Sequence, residues 1–232
     1  MLKRISSPFK DFGPLAGTLY VIDRILGRIS SRLRLYAYEL MVQPIPDKPL
    51  IPARLANSIK LREIRLGDPE VERMPARADI KASRFAQGAT CLGAFQKEKF
   101  IGYIWFCRDK YEEDEVRCTY QLTPLGSAVF DFDLYLFPEH RMGLGFVALW
   151  NGANAYLHSL GIAFTFSRLT RFNLASRRAH KHLGWKLVAR AVFFQAWRLE
   201  FMVATQFPYL GVTVQPNGRI HLVLRADALR EG

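Results

Sequence analysis

The stretch that most constrains the fold is residues 130–185. It opens with strict alternation, Phe130, Phe132, Leu134 and Leu136 on one side and Asp131, Asp133, Tyr135 and Phe137 on the other, which is the period of a strand. Pro138 ends that pattern, and Gly143 and Gly145 follow it. Leu144, Val147, Ala148, Trp150, Ala153, Ala155, Tyr156 and Leu160 then recur at helical spacing until Gly161. The apolar run 162–166 reads as a buried strand, and Asn173 and Ser176 precede a short helix that ends at Gly184-Trp185. Strand, glycine turn, helix, strand and helix in this order form a crossover unit, whose two strands lie parallel or diverge.

The glycine turn is where chemistry is expected. Without a Cβ at Gly143 and Gly145, a ligand can approach the backbone closely. The amides of residues 142–146 are the unpaired N–H groups of a helix start, and these groups with the helix dipole bind phosphate well. The same glycines would also serve a tight turn that binds nothing. Asp131 and Asp133 lie two apart on one strand, so the pattern puts both carboxylates on one face. Partial desolvation of such a pair would raise one pKa and suit a general base; pairing with nearby arginines is the other reading.

His140-Arg141-Met142-Gly143-Leu144-Gly145 resembles the pyrophosphate loop of the GNAT acyltransferases, Gln/Arg-x-x-Gly-x-Gly/Ala. Downstream, Asn173, Ser176, His180 and Gly184-Trp185 are similar to the same superfamily's second motif, which shows Asn, a small residue, Tyr and Gly-Phe at those spacings. The resemblance covers roughly residues 59–194. It implies an α/β fold of GNAT type, a mixed, centrally splayed sheet flanked by helices. It also implies an N-acyltransferase that uses acetyl-CoA or another acyl-CoA and transfers the acyl group to an amine on a small molecule or peptide.

By that resemblance Arg141, Met142, Gly143, Leu144, Gly145 and Phe146 hold the diphosphate. Tyr135, Leu136 and Phe137 line the thioester and pantetheine arm, and Asn173 and Ser176 fix the cofactor, although Asn and Ser are also plain helix caps. The sequence departs from the pattern twice. His140 replaces the usual first residue of the loop. His180 stands where many members carry the tyrosine that protonates the leaving thiolate, a task histidine can perform. Arg77, Arg84 and Phe85 fall on the acceptor side. Two other readings stay open: a longer-chain enzyme resembling the N-acyl amino acid synthases, using acyl-CoA or acyl carrier protein at a membrane surface, and a non-catalytic module of the same fold with an anionic partner.

The net charge of +12 and pI near 9.9 favour an anionic partner without choosing one. No ladder of basic and aromatic residues along a strand points to nucleic acid. The three cysteines, Cys91, Cys107 and Cys118, lie in expected strands and fit a reducing, cytoplasmic setting. Zinc spacing is lacking, and His180 and His182, two apart on a helix, make a poor ligand pair; no metal is expected.

Residues 1–43 read as a basic amphipathic helical extension, broken near Ser30-Ser31, with Leu15, Leu19, Ile22, Leu26, Ile29, Leu33 and Tyr36 as its stripe. It is too charged to span a membrane and does not look like a signal peptide. It packs on the rest of the chain, on a second subunit, on a partner protein, or on an anionic membrane at the inner face. Residues 44–57, with four prolines, read as a linker to an acyltransferase domain over 58–232. Within that domain 58–66 is the expected first strand. A helical stretch over 70–86 is broken near Pro75, and 90–95 with 100–107 form a hairpin. The segment 109–115, with five acidic residues among seven, reads as a solvated loop. Two strands follow Trp185, and Pro216-Asn217-Gly218 between apolar flanks signals a terminal hairpin.

Overall fold

The computed structural model describes residues 3–141 and 144–226. Helices α1 (Lys3–Phe12) and α2 (Pro14–Ile29) come first, Pro14 taking the initial helical position that its fixed φ suits. The helix does not continue to residue 42, as the apolar spacing suggested. Ser30–Arg32 turn the chain into strand β1 (Leu33–Pro44). Helix α3 (Ala53–Ala56) interrupts the proline-rich piece, followed by β2 (Lys60–Ile64), α4 (Pro69–Glu72) and α5 (Ala78–Ala86). Strands β3 (Thr90–Gln96) and β4 (Lys99–Arg108) form the expected hairpin. Its turn residues Lys97 and Glu98 have φ of 46° and 63°, the left-handed values that match strand twist.

After β5 (Lys110–Glu112) and β6 (Cys118–Thr123), the constraining stretch forms as read: β7 (Ala128–Leu136), a 3-10 turn (Pro138–His140), α6 (Gly145–Ser159), β8 (Phe164–Thr170) and α7 (Leu174–His182). Strands β9 (Lys186–Ala196), β10 (Leu199–Ala204), β11 (Leu210–Thr213) and β12 (Ile220–Arg225) complete the chain. The terminal hairpin is not formed. β11 pairs antiparallel with β10, whereas β12 pairs parallel with β6 and sets Ile220, Leu222 and Leu224 opposite Cys118, Tyr120 and Leu122. All six of those side chains are buried, so burial overrides the local Asn-Gly signal.

The chain divides into two compact units. One comprises 44–111 and 124–165. Its sheet runs β7-β4-β3-β2, all antiparallel. β4 is apolar and buried from Phe100 to Cys107, between an exposed Lys99 and Arg108, as a strand covered on both faces must be. Helix α6 buries Ala148, Leu149, Trp150, Ala153 and Leu157. The β4–β7 ladder carries a bulge. Tyr103 faces Tyr135 and Trp105 faces Phe132, so Ile104 alone opposes Asp133 and Leu134. Asp133 takes φ of 47° there. The bulge breaks the period of two, which is why Asp131 and Asp133 do not share surroundings as the alternation implied.

The other unit comprises 1–43, 112–123 and 166–232, with the antiparallel order β11-β10-β9-β1 and the parallel pair β6–β12. The acidic run is no solvated loop. Glu113 is buried, its Oε1 accepts from the amides of Asp114 and Glu115, and Arg168 Nε lies 2.8 Å from its Oε2. Arg168 also donates to Glu115 at 2.7 Å and sits over the Tyr38 ring. Glu200, fully buried, accepts from Arg117 and Gln195. Glu39 on β1 is held by Arg177 through two bonds of 2.8 and 3.2 Å, with Arg171 and Arg190 within 4 Å.

Gly102 is fixed by the bulged strand. A Cβ at this position would lie 2.3 Å from the carbonyl oxygen of Tyr135, a backbone atom that cannot swing away. Gly102→Val is expected to lower stability by about 2–3 kcal/mol. A urea unfolding midpoint equal to wild type would show that β7 does not pass over that glycine.

Candidate active site

The turn between β7 and α6 is built from its own carbonyls and one arginine. Phe137 N–H donates to Ile101 O at 3.0 Å, so this amide, one of those expected to face a thioester, is already engaged. His140 N–H closes the 3-10 turn on Phe137 O at 2.8 Å. Arg141 Nε donates to Leu136 O at 2.8 Å, and its guanidinium lies 5.0 Å over the Tyr135 ring. Arg141 is therefore placed against the strand end on which the loop residues converge. Leu144 caps α6 and accepts from Ala148 N–H at 2.8 Å. Gly145 is required sterically, since a Cβ there would approach His140 O to 2.7 Å. Phe146 follows in the first turn of α6. Met142 and Gly143 lie outside the described residues.

Upstream on the same strand the two aspartates have separate partners. Asp131 is buried and accepts from Thr165 Oγ1 at 3.0 Å. Asp133, with about a quarter of its side chain exposed, pairs with Arg84 and lies 3.4 Å from Tyr103 Oη. Arg84 comes from α5 and is itself buried, its guanidinium 5.5 Å from the Trp105 ring and 5.3 Å from the Phe132 ring. Burial, with the Asp133 charge beside it, pushes the Tyr103 phenol well above its ordinary value, so Tyr103 is a hydrogen-bond donor and not a phenolate. Tyr103 was not singled out from the sequence, where it is one aromatic among many in an apolar strand. Arg77, expected on the acceptor side with Arg84 and Phe85, pairs with Asp79 on the surface.

The second motif lies in the other unit. Asn173 caps α7, its Oδ1 accepting from Ser176 N–H at 3.0 Å. His180 is buried; its Nδ1 is 2.8 Å from Ser176 O, and its ring packs edge-on at 5.1 Å against Trp185. A carbonyl oxygen only accepts, so Nδ1 carries the proton in that contact and the neutral ring leaves Nε2 without one. Burial also depresses the imidazole pKa. The Nδ1 proton of a neutral His180 is thus engaged by the Ser176 carbonyl. Ser167, at the end of β8, is buried, and Arg168 next to it donates to Glu113 and Glu115.

No family model matches the chain, and no curated protein matches it. Solved structures do. A tandem GNAT protein from the clavulanic acid biosynthesis pathway is 17% identical with a TM-score of 0.47, over 70% of this chain and 53% of that one. The likeness is one of fold. A GCN5-related N-acetyltransferase from Kribbella flavida is 10% identical at a TM-score of 0.41, over 72% of this chain and 62% of that one. Another from Sphaerobacter thermophilus is 13% identical at 0.41, over 85% and 57%. The chain thus spans between about half and two thirds of the length of these structures.

The His180 environment has a measurable consequence. Its folded pKa lies below the unfolded value of 6.5, so protonation favours unfolding. Its contribution is intact above pH 6.5 and is lost as the pH falls through the folded value. Unfolding free energies measured from neutral pH downward should decline more steeply in wild type than in His180→Gln, by up to about one proton's worth of slope. Parallel curves would mean that the imidazole is not buried neutral.

Proposed function

We propose that this chain is an acyl-CoA-dependent N-acyltransferase of the GNAT type, with acetyl-CoA as its default donor and a primary amine as acceptor. The observation that supports the reading is the join of β7 to α6. A bulged strand leads through a short turn into a helix whose first residue, Gly145, is kept bare by a backbone carbonyl. The N-terminal end of α6, where the helix dipole is positive, suits a diphosphate. Arg141, already oriented by Leu136 O, adds a fixed positive charge. Gly143 and Met142 keep the roles that the resemblance gives them.

In the proposed reaction the amine nitrogen attacks the thioester carbonyl carbon. The C–N bond forms, the C–S bond breaks, the amine loses a proton and the thiolate of coenzyme A gains one. Asp133, partly exposed and paired with Arg84, is the better placed of the two aspartates to hold or deprotonate the amine. Asp131, buried on Thr165, would act by supporting the strand. His180 is assigned no proton donation.

Acetyl-CoA in excess should raise the melting temperature, because a ligand that binds only the folded chain stabilises it by mass action. Gly143→Leu should lose that shift while its own melting temperature stays near wild type. Asp133→Asn should reduce kcat by about a hundredfold or more and alter its pH profile, with Asp131→Asn acting chiefly on stability. A calorimetric titration in which acetyl-CoA, palmitoyl-CoA and free coenzyme A all fail to bind the wild-type chain would overturn the proposal.

A further inference from the structure

The structure leaves one face of α2 uncovered. Leu15, Ile22, Ile25 and Ile29 are spaced seven, three and four residues apart, which puts them on one side of a helix. They are 64%, 38%, 51% and 70% exposed. The opposite side is anchored. Ala16 and Gly17 are buried, with Gly17 against Phe9 of α1, and Tyr20 meets the rings of Phe12 and Phe172. Asp23 accepts from the backbone amide of Leu35 and pairs with Arg34. The apolar stripe therefore points outward on a helix that is fixed from behind. From Leu15 to Ile29 it is about 21 Å long.

The rest of the exposed helix surface is basic. Arg28 borders the stripe beside Ile25, Arg24 is exposed on the side away from it, and Arg32 follows the helix. Asp23, the one acidic residue of α2, is already paired. A second copy of the chain would bring like charges together along this surface, on a molecule of net charge +12. Four side chains on one helix also fall short of the roughly 1,200–2,000 Å² that a stable protein interface buries. An anionic lipid surface meets both conditions, since it attracts the arginines and takes up aliphatic side chains without needing a shaped partner. Among the described residues no helix is long and apolar enough to cross a membrane.

We infer that α2 is a surface-docking helix that lies in the interface of a membrane containing anionic lipid, with Ile22, Ile25 and Ile29 inserted and Arg24 and Arg28 at the headgroups. Docking of this kind does not depend on the acyl transfer proposed above.

The test is co-sedimentation of the full chain with vesicles of phosphatidylcholine alone and of phosphatidylcholine with phosphatidylglycerol. Wild type should pellet with the phosphatidylglycerol vesicles, less so as salt is raised, and stay in solution with phosphatidylcholine. The double variant Ile22→Asp, Ile25→Asp should lose about tenfold or more in partitioning. Arg24→Gln with Arg28→Gln should lower it and flatten the salt dependence. These positions are exposed, so unchanged melting temperatures are expected and serve as the folding control. Wild type remaining in solution with anionic vesicles, or both variants binding as wild type does, overturns the inference. So does sedimentation velocity showing a dimer that the isoleucine variant splits, because the stripe would then be a contact between copies.

Discussion

The end of β7 depends on one residue held in a left-handed backbone conformation. Asp133, at φ 47°, is not a glycine, and a side chain in that region costs about 1 kcal/mol or more. Its carboxylate offsets the cost by taking a buried guanidinium from α5 and lying near a phenol from β4. Arg84 in turn satisfies its own charge on Asp133 while its planar head rests among Trp105 and Phe132. Helix, bulge and sheet face are thereby tied by a single pair of charges. The extra residue in β7 then determines which carbonyl, Leu136 O, is presented to Arg141 at the turn.

A second constraint works in the other unit, where acids are buried and arginines are drawn in to match them. A charge withdrawn from water needs a partner and further hydrogen bonds. Glu39, Glu113 and Glu200 each have both. Pairing of this kind leaves the net charge of +12 unchanged. The pairing also fixes register. Glu39 and Arg190 sit opposite each other in the β1–β9 ladder, and a slip of one residue would turn Glu39 away from Arg177 on α7.

Legibility followed the range of the interactions. The crossover from β7 through α7 was readable because periodicity, Pro138, Gly161 and Asn173 all act over a few residues. β1 was not, since Leu33 and Tyr36 fit a helical spacing as well as a strand, and only pairing with β8 and β9, both far along the chain, decides between them. The tail misled for the same reason: Asn217-Gly218 favours a hairpin locally, but β6 offers a deeper place for Ile220, Leu222 and Leu224. At the candidate site the residue types were found and their relations were not. The bulge separates two aspartates that alternation joins, and the backbone bond from Ser176 sets the tautomer of His180. Neither a bulge nor a tautomer leaves a mark in one sequence.

The β1–β9 ladder has a consequence for how the protein is made. β1, apolar from Tyr36 to Val42 apart from Glu39, has no mate until β8, residues 164–170, has been synthesised, and its other neighbour β9 follows later still. At about 5–20 residues per second the wait is on the order of ten seconds. For that interval a newborn chain carries an unpaired, water-averse strand. Chaperone occupancy, rather than the final stability, would then set the yield of correctly closed molecules.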